Sequence, residues 1–104
     1  MEVRFSHTVR IYLSDLIQIL YEKEYFGFEK DATEYVNDLI DDILTIDRKY
    51  KKFAPDYFSK YGKNMYYVSY RKNKNTTWYV FFNYSEGIYY IRYIGNNHNI
   101  GQYL

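Results

Sequence analysis

The sequence predicts an α+β fold in which a short N-terminal strand and an α-helical hairpin precede a three-stranded antiparallel meander. Three observations predict it. Residues 64–95 hold three runs rich in Tyr, Phe, Trp, Val and Ile, parted by the polar breaks Lys72-Asn73-Lys74-Asn75 and Ser85-Glu86-Gly87, the pattern of consecutive hairpins. Two apolar stripes at helical spacing lie upstream of them. Before those, Glu2 to Phe5 alternates polar and apolar, as a short strand at a sheet edge would.

In chain order, Ser6 is placed to cap the first helix, since its hydroxyl can accept from an amide of the first turn. Val9, Leu13, Leu16, Ile17 and Leu20 then form one side of that helix, with Arg10, Asp15, Gln18 and Glu22 mainly on other sides. Tyr25-Phe26-Gly27-Phe28 breaks the pattern, and Gly27 is expected in the left-handed conformation that ends helices. The second stripe runs through Ala32, Tyr35, Val36, Leu39, Ile40 and Ile43 to Ile46, giving two antiparallel helices. Arg48, Lys49, Lys51 and Lys52 read as cations at its negative end. The aromatics of residues 53–58 and Tyr61 are expected to tuck a connecting loop onto the core, with Pro55 and Gly62 as punctuation.

A first hairpin loop of two or four residues and a second of two would place Met65, Tyr67 and Ser69 on the face of Trp78, Val80, Phe82, Tyr89, Ile91 and Tyr93, against the helices. The other face would carry Tyr66, Val68, Tyr70, Thr77, Tyr79, Phe81, Tyr90 and Arg92. A slip of one residue on any strand exchanges these sets.

The 104 residues suffice for one core and are read as one domain, 1–104. The chain has no cysteine, so it offers neither a disulfide framework nor a thiolate metal site. No run approaches the ~20 apolar residues of a membrane span, and residues 1–5 lack a signal-peptide core, so a cytoplasmic location and no membrane partner are expected. The formal net charge of +1 hides a split: residues 1–47 hold eleven acids against four bases, and residues 48–104 two acids against ten bases. A basic, tyrosine-rich half points to an anionic partner such as nucleic acid, and the acidic half reads as a solvated helical face. Asp38, Asp41 and Asp42 belong to that face rather than to a metal site, because no calcium-loop spacing or nearby histidine accompanies them.

The order of these elements, with Thr76-Thr77-Trp78-Tyr79-Val80-Phe81-Phe82, Tyr90-Ile91-Arg92-Tyr93-Ile94 and Asn96-Asn97-His98, resembles the RelE/ParE toxins of bacterial toxin–antitoxin systems. The likeness covers almost the whole chain. Its most specific parts are Tyr61-Gly62-Lys63-Asn64-Met65-Tyr66-Tyr67 and the ending from Arg92 through His98 to Gln102-Tyr103-Leu104. The resemblance implies a growth-inhibiting toxin neutralised by a cognate antitoxin that wraps its basic surface. RelE-like members cut ribosome-bound mRNA without a metal, whereas ParE-like members share the fold and poison DNA gyrase. A degenerate chain that only binds antitoxin is a third reading. The fold alone does not choose among them.

Metal-free RNA cleavage needs a base for the 2′-hydroxyl, an acid for the leaving oxygen and cations for the crowded phosphoryl group, and no cofactor. The resemblance assigns His98 as acid or base, since imidazole ordinarily changes charge near neutrality. Arg92, and second to it Arg71, would clamp the phosphate, a task arginine performs with paired hydrogen bonds. Lys72 and Lys74 at the hairpin tip would hold the RNA backbone, and Tyr66, Tyr70, Tyr79 and Tyr90 would stack unpaired bases. In one place the chain departs from the pattern. Ribosome-dependent relatives often carry an arginine at the start of the central strand, where this chain has Thr76 and Thr77.

Overall fold

The computed structural model describes residues 1–23 and 27–104. Strand β1 (Glu2–Phe5) leads into helix α1 (His7–Glu22), followed by α2 (Glu29–Ile43), the two-residue β2 (Lys52–Phe53), the meander β3 (Tyr66–Asn73), β4 (Thr76–Ser85) and β5 (Ile88–Asn96), and a single turn of helix, α3 (Asn97–Ile100). The fold is α+β, with one five-stranded mixed sheet in the order β1-β5-β4-β3-β2. β1 runs parallel to β5, and the other pairs are antiparallel. No helix among the described residues is long and apolar enough to cross a membrane.

Local signals account for most boundaries. The Ser6 hydroxyl accepts from the Val9 amide at 3.1 Å and opens α1. Val9, Leu13 and Leu16 from α1 and Ala32, Val36, Leu39 and Ile43 from α2 are buried. With Ile46 they bring the hairpin down on one face of the sheet, around Val68, Tyr70, Trp78, Val80, Phe82, Ile91 and Ile94. Glu86 and Gly87 both take positive φ, 50° and 81°, so β4 and β5 are joined by the two-residue turn whose twist suits a hairpin.

The break expected at Tyr25-Phe26-Gly27-Phe28 falls on Tyr25 and Phe26, which with Glu24 lie outside the described residues. α1 closes four residues before Gly27, where the Lys23 amide donates back to Ile19 and Tyr21. The expectation for the end of α2 is corrected. The cations Arg48, Lys49, Lys51 and Lys52 do not close α2, which stops at Ile43. There the Thr45 hydroxyl donates to the Asp42 carbonyl at 2.8 Å, and a 3-10 turn, Ile46–Arg48, leads the chain away.

The sheet faces are corrected on β3 and at the end of β5. Both loops have two residues, Lys74-Asn75 and Glu86-Gly87, yet each hairpin carries a bulge. Arg71 pairs with Thr77 and Asn73 with Thr76, so Lys72 is the extra residue on β3. Phe81 pairs with Tyr93 and Phe82 with Ile91, so Arg92 is the extra residue on β5. The first bulge turns Tyr66, Val68 and Tyr70 under the helices and Tyr67 and Ser69 outward. The second sends Ile94 into the core and Tyr93 to the other face. Both shifts oppose Val80 with Val68 and Ile94, where an unbulged register would have offered Ser69 and Tyr93.

The second face is not bare. Phe58, from the 3-10 turn Asp56–Lys60, and Ile100, from α3, pack with Met65 and Phe81 into a smaller core. Phe58 thus does what was expected of the loop aromatics, whereas Phe53 stays 78% exposed. Ile100 lies on Gly95 so closely that a Cβ there would sit 2.8 Å from the Ile100 Cδ1. Gly95→Ala should therefore cost about 1–3 kcal/mol by overpacking. Ile100→Val removes the opposing atom, so urea titrations should give a double variant more stable than the sum of the two single losses.

Burial of Tyr12 pushes its hydroxyl from 10.0 up to about 12, and Tyr70 and Tyr93 are raised mainly by burial too. A raised folded value means stability that is complete below the unfolded pKa. Denaturation midpoints should hold below pH 10.0 and fall towards pH 12, and Tyr12→Phe should shallow that fall.

Candidate functional site

The residues singled out for RNA chemistry fall into two groups at opposite ends of the central strand. At the first end, β5 runs out and α3 turns back across the start of β4. The Asn96 side chain accepts from the His98 amide at 2.9 Å, and the Asn99 side chain accepts from the Asn96 amide at 2.9 Å. Asn97 then bridges to the hairpin, accepting from the Thr77 amide at 2.9 Å and donating to the Asn75 carbonyl at 3.0 Å. This asparagine cluster supplies the partners that a longer β5 would have given to β4. It holds His98 exposed, with Nε2 3.2 Å from the Thr76 hydroxyl. Arg71 stands opposite Thr77 on the neighbouring strand, exposed, with its Nε donating to the Asn73 carbonyl at 3.2 Å. Lys74 is exposed at the hairpin tip beside them.

The second end is organised by Asn83. Its amide donates to the Lys63 carbonyl at 2.8 Å and its oxygen accepts from the Arg92 Nε at 3.1 Å. The bulge aims Arg92 this way. Tyr90, directly opposite Asn83, lies between two guanidiniums, with Arg92 6.0 Å and Arg4 5.8 Å from its ring centre. Arg4 is also paired with Glu2.

His98 and Arg92 do not share a hollow. Their contacts on β4, Thr76 and Asn83, are seven residues apart on one strand, which at ~3.3 Å per residue is about 23 Å. The scheme in which both act on one phosphate is therefore corrected. Arg71 is the cation that the fold brings to the His98 end.

Three further assignments change. Tyr70 is 7% exposed beneath the helices, its hydroxyl raised by burial and by the carboxylates of Asp42 and Asp47. Tyr66 also lies on the helix side, half-buried, with Phe53 stacked on it at 5.0 Å. Lys72, re-aimed by its bulge, reaches over the sheet edge to Asp42 at 2.8 Å and ties the hairpin to α2. Of the proposed stacking tyrosines, Tyr79 and Tyr90 stay on the second face, each half-buried.

The sequence reading missed a third feature of the second face. Tyr57 stacks on Tyr103 at 3.6 Å and Tyr61 on Tyr93 at 3.9 Å, with the Lys60 ammonium 4.1 Å from the Tyr57 ring centre. Hydrogen bonding to Lys60 and then to Tyr103 holds the Tyr57 hydroxyl below its usual range. The sequence carries no signal for these pairs, because 16 tyrosines offer no basis for choosing which will meet.

No family model, curated protein or solved structure matches this chain.

The asparagine clamp yields a direct test. Asn97→Ala removes both bridges between α3 and the hairpin, each with a net value of about 0.5–1.5 kcal/mol. It should lower stability by about 1–2 kcal/mol and speed hydrogen exchange at the Thr77 amide, which the Asn97 side chain now holds.

Proposed function

We propose that this chain is the toxin of a toxin–antitoxin pair, a metal-independent endoribonuclease acting on ribosome-bound mRNA and silenced by a cognate antitoxin. The arrangement of a strand, a helical hairpin and an antiparallel meander is the one the RelE/ParE resemblance implies. The observation that carries the chemistry is the exposed His98 imidazole, held by three asparagines against the Thr76 hydroxyl at the end of β4 where Arg71 pairs with Thr77.

In this reading an RNA strand crosses the start of β4 with its 2′-hydroxyl near His98 Nε2. The imidazole takes the hydroxyl proton as the 2′-oxygen bonds to the adjacent phosphorus, and the imidazolium so formed returns that proton to the 5′-oxygen as the P–O5′ bond breaks, leaving a 2′,3′-cyclic phosphate. Arg71 lies against the phosphoryl oxygens as their negative charge grows, and Lys74 holds the backbone downstream. The roles need no metal, because imidazole and guanidinium together move the proton and offset the charge. Arg92 and Tyr90 receive a more distant part of the strand.

The wide separation of His98 from Arg92 favours a second reading, a non-enzymatic inhibitor of DNA gyrase of the ParE type. A basic surface that serves only to bind has no need of Arg92 at the imidazole. Expression without antitoxin separates the two. The nuclease stops growth with codon-linked cuts in ribosome-bound messages, and His98→Ala lowers cleavage about 10²–10⁴-fold and relieves the arrest. Growth arrest with intact messages, trapped gyrase and full potency of His98→Ala would remove the nuclease in favour of the inhibitor.

A further inference from the structure

Residues 49–53 form an exposed edge that neither group of site residues uses. After the Ile46–Arg48 turn the chain runs Lys49-Tyr50-Lys51-Lys52-Phe53 along the outside of β3, and only Lys52 and Phe53 pair with it. Tyr50 is 85% and Phe53 78% exposed, the most exposed aromatic rings among the described residues. With Tyr66 and the three lysines they line an open hollow of about 510 Å³ that contains no acid.

Two of the three lysines, Lys49 and Lys51, are held over rings rather than by carboxylates. Lys51 Nζ sits 5.4 Å from the Tyr66 ring centre and 5.7 Å from that of Tyr84, and Lys49 Nζ 4.8 Å from that of Tyr70. Among the described residues no carboxylate comes within ion-pair distance of any of the three. Cations and rings are thus interleaved along the strap, with none of the three lysines ion-paired among the described residues. The ring of Phe53 already has Tyr66 on one side, stacked at 5.0 Å, and leaves its other side to solvent.

We propose that this strap is a binding track for single-stranded RNA, separate from the His98 end, in which unpaired bases stack on Phe53 and Tyr50 while Lys49, Lys51 and Lys52 take successive phosphates. Every base has a face to stack, so the track selects single strands over duplex and is tolerant of sequence. An added peptide strand fits the edge less well. β2 offers two residues of ladder, and lysines along a sheet edge discourage strand pairing. The proposal shares with the preceding reading an RNA substrate, but it does not depend on a scission centre.

Binding is read by fluorescence anisotropy on a labelled 2′-O-methyl oligouridine, which has no attacking hydroxyl and cannot be cut, at several salt concentrations. A duplex of equal length and polyglutamate serve as competitors. The single strand should outcompete duplex about tenfold or more, and Tyr50→Ala and Phe53→Ala should each weaken binding about tenfold. Replacing Lys49, Lys51 and Lys52 by Gln should reduce the log–log salt slope by about 2. All five side chains are exposed, so unchanged thermal midpoints should accompany these losses; Tyr50→Ala alone decides the matter if the triple variant does not fold. Absent binding, binding indifferent to the strap variants, or a strap that holds polyglutamate in preference to the oligonucleotide would overturn the proposal, the last by assigning it to an acidic protein. Strap-dependent binding without message cleavage by the unaltered chain would remove the nuclease and leave the track standing. Cleavage with no oligonucleotide bound would do the reverse.

Discussion

The structure depends on how the strands on either side of Val80 are set in register. Val80 is 0% exposed at the middle of β4, with the helical hairpin packed over it, and whatever stands opposite must be apolar. The two-residue turns on either side would by themselves bring up Ser69 and Tyr93, each with a hydroxyl to satisfy. A bulge in each neighbouring strand brings up Val68 and Ile94 instead. Each bulge forfeits local ladder pairing, and burial of apolar side chains at about 25 cal/mol per Å² outweighs that loss.

Both extra residues are cations, and both acquire reach. Lys72 is turned over the edge to Asp42 on α2, which fastens the hairpin tip to the helical layer. Arg92 is turned towards Asn83, which also holds the loop before β3 through the Lys63 carbonyl. The packing requirement at Val80 thus decides where two of the ten bases of residues 48–104 can act. It leaves the chemistry divided, with an imidazole and Arg71 at one end of β4, an arginine and Tyr90 at the other, and a lysine-rich strap along the β2 edge.

Much of this arrangement was legible in the residues, and the misses have a common cause. β1, the Ser6 cap, the apolar stripes of α1 and α2, the three long strands and the Glu86-Gly87 turn all follow from periods and signals spanning a few residues. Tyr79 and Tyr90 were placed on the correct face because β4 and the first half of β5 keep unbroken alternation. The sequence assigns Tyr66 and Tyr70 to base stacking and Lys72 to the RNA backbone at the hairpin tip, whereas the structure turns all three towards the helical layer, because a bulge leaves no mark in the bulged strand itself. Arg48 to Lys52 read in the sequence as charges closing a helix, because the turn at Thr45 that separates them from α2 is made by backbone bonds and one hydroxyl bond that leave no periodic signal.

What the sequence determined by itself is β1, the two long helices and the three long strands, but not β2 or α3, together with the acidic helical layer and the basic aromatic sheet, because periodicity, capping and charge are local properties. Only the tertiary structure decided which tyrosines are sealed, that His98 meets Thr76 at the end of β4 away from Arg92, and that the lysines of residues 49–52 line an open edge. Those outcomes turn on the register between strands. Register is chosen by the fit of side chains distant in sequence against one shared core, which no single stretch of the chain encodes.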